Sequence, residues 1–289
     1  MARRCFLIVN PTSGSFSQRR IDQVMAALAR KGLDPVLLPT ASALDAPLFA
    51  SRICAENPDP LILVAGGDGT LNAVLNGLEP GAATLGVIPL GTSNVLAREL
   101  KSRSIDDAVN RVARGEYRPI AVGELQGGGQ QRRFLLMAGV GVDGAVVQGL
   151  RLSEKRKLGK LAYLLSALRI LFTWDRTELQ VTAGGETLSC HSVIACNAAR
   201  YGGNFLLAPL GDMFSPGLQV VCINGGRLSY LKLCLRLAFG RVAASRSVTI
   251  FSASELAVSG EKPVQLDGDF FCCGPLQLRS IPGFVRLIV

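Results

Sequence analysis

Leu61-Ile62-Leu63-Val64-Ala65-Gly66-Gly67-Asp68-Gly69-Thr70-Leu71-Asn72 is the stretch around which the rest of the chain is organised. Its first five residues are apolar without interruption, which suits a strand buried on both faces, as in a parallel sheet. Three glycines around one aspartate follow at once. Lacking Cβ, glycine takes positive φ freely and lets backbone N–H groups come close to a bulky anion. Asp68 or Thr70 then caps a helix that carries Leu71, Val74, Leu75 and Leu78. Strand, glycine turn and helix N-terminus together make a phosphate cradle, because orphan N–H groups and the positive end of the helix dipole face the ligand. The structural alternative is a tight strand-to-helix turn with no ligand. Against it stands the aspartate inside an anion cradle, which makes sense when a divalent metal joins phosphates to the carboxylate. The usual P-loop string, G-x-x-x-x-G-K-[ST], does not occur in the chain.

Outward from this stretch, strands and helices alternate. A strand over 4–9 ends in Asn10-Pro11-Thr12-Ser13-Gly14, a helix is expected over about 16–31, and a strand over Pro35–Pro39 ends at Thr40 before a helix over about 44–56. On the other side come a strand over Thr84–Ile88, the string Pro89-Leu90-Gly91-Thr92-Ser93-Asn94 and a helix over about 105–114. That order predicts an α/β domain with a parallel sheet, helices on both faces, and ligands at the carboxyl ends of the strands. From about 117 the pattern becomes short apolar strands broken by glycine, including Phe134–Ala138, Leu179–Thr182, Ser192–Cys196, Leu218–Ile223, Leu276–Leu278 and Val285–Val289. Such spacing predicts an all-β antiparallel sandwich with a few helices. The expected domains are therefore 1–120 and 121–289.

The sandwich half holds two amphipathic stretches, 151–172 and 228–239, each mixing basic residues with leucines at helical spacing. They read either as helices packed on the sandwich with a solvated basic side, or as interfacial helices facing anionic lipid. Charge is uneven in the same direction: residues 1–120 hold 13 Lys/Arg against 11 Asp/Glu, and residues 121–289 hold 18 against 11. An anionic membrane surface is the partner this favours. Nucleic acid is not expected, since aromatics are only 6% and none is interleaved with a basic segment.

With 48% hydrophobic residues, no apolar run approaches the length of a membrane span, and the apolar start is too short for a signal peptide, so the cytoplasm is expected. Eight cysteines without a C-x-x-C, and a single histidine, His191, read as reduced core thiols and not as a zinc site or a His-dependent nucleophile. Gly139-Val140-Gly141-Val142-Asp143-Gly144 satisfies G-x-G-x-x-G, but no acid stands about twenty residues on to hold a ribose. Near the end, Asp267-Gly268-Asp269 offers either a plain hairpin turn or a carboxylate base for phosphoryl transfer to an alcohol.

The pair of strings at 66–72 and 89–94 resembles the nucleotide site of the diacylglycerol kinase catalytic-domain family, which includes soluble bacterial lipid kinases and the sphingosine and ceramide kinases. NAD kinases and phosphofructokinases carry close versions of the first string, so the pair is the more specific signal. The resemblance implies ATP and Mg²⁺ as cofactors and a lipid hydroxyl as acceptor, met in a cleft between the domains. It places Asn10, Thr40, Gly66, Gly67, Asp68, Gly69, Thr70, Leu71, Asn72, Thr92 and Asn94 at the nucleotide, with Asp68 at the metal. It makes Asp269 the base with Asp267 beside it, Asp143 a wall of the cleft, and the last strand a return to the first domain. Two departures stand out. The family carries Asp-Gly-Glu where this chain has Asp267-Gly268-Asp269, and its Asp-Asp-Gly-Leu metal segment is here Ser215-Pro216-Gly217-Leu218. Peripheral membrane association is implied, and a homodimer stays open. The rivals are an NAD kinase and a catalytically silent lipid-binding module.

Overall fold

The computed structural model describes residues 3–102, 104–150, 160–173, 175–203, 205–240 and 242–289. It divides into two compact units, the first ending at Ala121 and regaining Pro282–Val289, the second holding Val122–Tyr201 and Phe205–Ile281.

The first unit runs β1 (Arg3–Val9), α1 (Gln18–Arg30), β2 (Leu33–Pro39), α2 (Asp45–Glu56), β3 (Leu61–Gly66), α3 (Asp68–Asn76), β4 (Thr84–Pro89), α4 (Val95–Glu99) and α5 (Ile105–Arg114). Its strands lie parallel in the order β2-β1-β3-β4. Helix α1 starts where the Ser17 hydroxyl accepts the Arg20 N–H, and α5 where Ser104 accepts that of Asp107. Their buried stripes, Ile21, Val24 and Leu28 with Ala108, Val109 and Val112, share one core with Cys5, Leu7, Val9, Leu61, Leu63 and Ala65. The two-residue period of a strand turns Phe6, Ile8, Ile62 and Val64 to the other face. Helices α2 and α3 pack together, so closely that a Cβ on Gly77 would overlap Pro47. Each fully buried leucine in such a core contributes about 1.5–3 kcal/mol.

From β1 the chain first moves to β2 on one side, then returns to β3 on the other. The loops after β1 and β3 therefore part company over a crevice at the carboxyl edge, which is the topological switch point of an open sheet.

The second unit, which shares β5 and β18 with the first, holds β5 (Tyr117–Gly127), β6 (Gln130–Phe134), β7 (Met137–Val140), α6 (Val142–Gln148), α7 (Lys160–Phe172), β8 (Leu179–Ala183), β9 (Glu186–Cys190), β10 (Ser192–Cys196), β11 (Arg200–Tyr201), β12 (Phe205–Leu206), β13 (Leu218–Ile223), α8 (Arg227–Ala238), β14 (Val248–Ala253), β15 (Glu255–Ser259), β16 (Pro263–Leu266), β17 (Asp269–Cys273) and β18 (Leu276–Ile288). One antiparallel sheet has the order β14-β13-β10-β7-β16-β17; β9, β8, β15 and the first half of β18, with β5 and β6, make the other. Alternate residues of both sheets, among them Phe134, Val140, Val181, Val193, Val220, Val258, Val264 and Leu278, close one core between them. This is the sandwich that the run of short apolar strands broken by glycine predicts.

Several details differ from the sequence reading. The expected strand Phe134–Ala138 is interrupted after Phe134, because the N–H groups of Leu135 and Leu136 turn to the Asp267 carboxylate. The two expected strands at 276–278 and 285–289 are one strand, β18, whose far end pairs parallel with β4 through Arg286↔Thr84 and Leu287↔Leu85. Val142 opens a short helix with its N–H held by the Ser192 hydroxyl at 3.0 Å, so the G-x-G-x-x-G string is a strand-to-helix turn inside a sandwich. The basic residues Arg151, Lys155, Arg156 and Lys157 lie outside the described residues.

Candidate active site

Three loops meet at the carboxyl ends of β1, β3 and β4. The Asn10 side chain donates to the Thr70 hydroxyl at 3.0 Å, Asn10 N–H to the Ala65 carbonyl at 3.1 Å, and Leu90 N–H to the Gly66 carbonyl at 3.0 Å. Thr40 joins the same edge, its N–H on the Val9 carbonyl at 2.8 Å. Glycine is required at two of these approaches. A Cβ on Gly91 would overlap the Gly67 Cα and lie 2.6 Å from the Asn94 side-chain oxygen, and a Cβ on Gly14 would overlap the Thr92 hydroxyl. Helix α3 starts at Gly67 without a side-chain cap, and Leu71 and Asn72 are buried in it. Its first-turn N–H groups, Gly69 among them, thus point out of the helix start toward the crevice, the arrangement that receives phosphate.

Neither Asp68 nor Thr70 caps α3. Asp68 is its first residue, and its two carboxylate oxygens accept the N–H groups of Val95 at 2.9 Å and Leu96 at 3.0 Å. It caps the following helix α4 instead, which the sequence reading does not contain. Asn94, left-handed at φ +45°, closes the second loop on itself by accepting the Gly91 N–H and donating to the Gly91 carbonyl, both at 2.8 Å. The glycine turn and the 91–94 loop are thereby one rigid piece. An asparagine just before Val95-Leu96-Ala97-Arg98-Glu99 was the available signal for α4.

Mg²⁺ fits this donor set in one way. No three His, Cys, Asp or Glu side chains gather into a metal cage among the described residues. A carboxylate held by two N–H groups keeps lone pairs for a Mg²⁺ that arrives on nucleotide phosphates, which needs only one or two protein carboxylates. The loop where the family carries a metal segment is closed differently: Asp212 accepts the Phe214 N–H and the Ser215 hydroxyl, both at 3.0 Å.

In the second unit, Asp267 and Gly268 form the two-residue turn between β16 and β17, with φ +50° and +92°. Positive φ at both positions is the hairpin turn that Asp-Gly favours. The Asp267 carboxylate accepts three backbone N–H groups, Leu135 at 2.7 Å, Leu136 at 2.8 Å and Met137 at 2.9 Å. Its role is to pin the turn to the β6–β7 corner. Asp269, first residue of β17, is exposed. The turn is supported from behind as well: Gly268 N–H donates to the Gln265 side-chain oxygen at 2.7 Å, and the Gln265 amide donates to Asp143 at 2.6 Å. Tyr201 donates to the other Asp143 oxygen. Burial pushes the Asp143 carboxyl up, while these two donors pull it down. Asp143 is thus a buried strut of the second unit. From α7, the Tyr163 hydroxyl reaches the same turn, 3.9 Å from where a Cβ on Gly268 would stand. Sequence offered no signal for Tyr163, Tyr201 or Gln265.

A switch-point crevice lined by glycine loops suits a phosphate-bearing ligand, and an antiparallel sandwich with an acidic hairpin follows it in the chain. Residues 4–125 match the family described as diacylglycerol kinase catalytic domain, and residues 137–289 match the YegS C-terminal NAD kinase beta sandwich-like domain. The chain is 35% identical over 278 residues to the diacylglycerol kinase of Bacillus subtilis, covering 93% of this chain and 90% of that one. It is 26% identical over 287 residues to that of Staphylococcus saprophyticus, covering 93% and 92%. A crystal structure of a diacylglycerol kinase from Bacillus anthracis has the same fold, with TM-score 0.81 at 24% identity, covering 99% of this chain and 96% of that one. The chain belongs to the diacylglycerol kinase family and is a lipid kinase.

Proposed function

We propose that the protein transfers the γ-phosphate of ATP to the hydroxyl of diacylglycerol or a similar lipid. The observation that carries the donor half is the joined pair of loops, in which Asp68 locks the 91–94 segment to the glycine turn at the uncapped start of α3. Gly66, Gly67 and Gly69 admit the phosphates, Thr40, Thr92 and Asn10 line the same edge, and Asp68 offers oxygen to nucleotide-borne Mg²⁺. That ion, when bound, neutralises charge on the phosphates. In the acceptor half, Asp269 takes the proton of the lipid hydroxyl as that oxygen bonds to phosphorus and the bridging bond to ADP breaks. Asp267 and Gln265 hold the turn that presents it.

The test is to incubate the protein with labelled ATP, Mg²⁺ and a panel of diacylglycerol, ceramide, sphingosine and NAD. Label in a lipid phosphate, lost in Asp269→Asn and Asp68→Ala, supports the reading. Label in NADP overturns it, and no labelled product marks a silent module. Among the described residues no helix is long and apolar enough to cross a membrane, so a bilayer-resident acceptor is reached from the surface.

A further inference from the structure

Helix α8 buries Tyr230 and Leu233, with Leu237 half-buried. Leu228, Leu231, Leu235 and Phe239, three or four residues apart, are all exposed, Leu228 and Phe239 by about three quarters (73% and 74%). At 3.6 residues per turn the two stripes stand roughly 170° apart. A helix apolar on opposite sides is normally buried on both; here one side packs on the sandwich and the other faces out. On α7, Leu165, Leu168 and Phe172 repeat the pattern, Phe172 being 81% exposed. The Arg227 guanidinium ties the helices by donating to the Phe172 carbonyl at 3.3 Å. Strand β12, with exposed Phe205 and Leu206, packs beside α8.

Charge on these two helices has one sign. No Asp or Glu occurs between Asp212 and Glu255, a span that includes Arg227, Lys232, Arg236 and Arg246, nor between Glu154 and Asp175. Lys232 and Arg236 flank the exposed stripe on one side and Arg227 on the other. A two-fold contact with a second copy would set this patch against itself, bases against bases with no acid on either helix to answer them. An anionic lipid surface supplies both what the leucines and phenylalanines need and what the bases need.

We propose that the outer faces of α7 and α8 form a shallow membrane-docking surface, with Leu228, Leu231, Leu235, Phe239 and Phe172 entering the headgroup boundary of an anionic bilayer and Lys232 and Arg236 pairing with lipid phosphates. This rests on the lipid-kinase reading and names the surface through which the enzyme meets its acceptor. Tyr163, on the opposite side of α7 from Leu165, Leu168 and Phe172, reaches the turn that presents Asp269, so docking sets that turn about one helix diameter, roughly 10 Å, from the bilayer surface.

The test is co-sedimentation with vesicles of phosphatidylglycerol and phosphatidylcholine, and of phosphatidylcholine alone. Wild-type protein pellets with the anionic vesicles. Lys232→Gln with Arg236→Gln weakens partitioning by about 30-fold, as two interfacial charges should. Leu235→Ser with Phe239→Ser weakens it by more than about tenfold, with an unchanged melting temperature. A paired control on α2, Leu44→Ser with Leu48→Ser, also exposed, binds as wild type. The proposal is overturned by wild-type affinity in both α8 variants, by equal loss in the α2 control, or by a dimer in sedimentation velocity that the α8 variants convert to monomer. Turnover on a short-chain diacylglycerol dissolved as monomer persists in all variants. Its absence in wild type overturns the kinase reading alone, since vesicle sedimentation needs no turnover and still decides the docking surface.

Discussion

Replacing Asp267 with Asn changes one atom of the acidic hairpin and isolates what its carboxylate holds. Asp267 Oδ1 takes two N–H groups, Leu136 at 2.8 Å and Met137 at 2.9 Å, and Oδ2 takes Leu135 at 2.7 Å. Asparagine keeps one oxygen, best placed on the Leu136 and Met137 pair. Its amide nitrogen then faces the Leu135 N–H, donor against donor, in a corner where all three residues are buried. Leaving one such donor unanswered costs about 1–3 kcal/mol, and losing the charge on the two surviving bonds about 1 kcal/mol more. The backbone is not at issue, since asparagine tolerates the φ of +50° as aspartate does. A loss of about 3 kcal/mol corresponds to about 6–12 °C in melting temperature for a unit of this size. Thermal unfolding followed by circular dichroism reads it directly. Asp269→Asn is the internal comparison: exposed, it melts as wild type and loses lipid phosphorylation. If Asp267→Asn melts within about 2 °C of wild type, the carboxylate does not pin the turn and the division of labour between the two acids is wrong.

Asp68→Asn should unseat the start of α4, lowering stability by about 1–2 kcal/mol and weakening nucleotide binding in calorimetry, because one of its two N–H acceptors is gone. Gly91→Ala should abolish nucleotide binding while leaving the sandwich's circular dichroism intact, since its methyl group would overlap Gly67. His191 is the only histidine, and burial pushes its imidazole below the ordinary value. Its contribution is therefore fully present above the unfolded value of about 6.5 and is lost as pH falls through the lower folded one. The single imidazole proton resonance should titrate below pH 6.5, and stability should fall over that same acid range. Excess EDTA should leave the melting temperature of the nucleotide-free protein unchanged, because Ser215 and Pro216 stand where the family's metal segment carries aspartates, and the Asp212 carboxylate is engaged by Phe214 and Ser215.

Much of the fold was legible because burial leaves a period in the sequence. The unbroken Leu61–Ala65 run, buried at every residue, and the short apolar runs Ser192–Cys196 and Leu218–Ile223 of the second unit, buried likewise, follow directly from how each sheet is packed. Helix α4 is too short to show a period, and Asp68, the first residue of α3, in fact caps a helix 27 residues on. The interruption after Phe134 likewise depends on an acid 132 positions away. At the candidate site the glycines were legible, because close backbone approach admits few other residues. The chain Gly268–Gln265–Asp143–Tyr201 was not, because a polar side chain reveals nothing of its partner until the strands are paired.

The far end of β18 joins β4 across 202 positions, with the Arg286 guanidinium on Thr84 at 3.0 Å, paired with Asp59 and stacked on the Tyr117 ring. A ribosome that has released everything through Ala121 has made every glycine loop of the candidate site, yet the sheet beneath them still lacks the strand that borders β4. Until some 160 further residues are synthesised, β4 presents a bare row of backbone groups to any passing chain. Assembly of the first unit's sheet is thereby timed by completion of the second unit, and a nascent fragment carrying only the glycine loops is the form of this protein most exposed to aggregation.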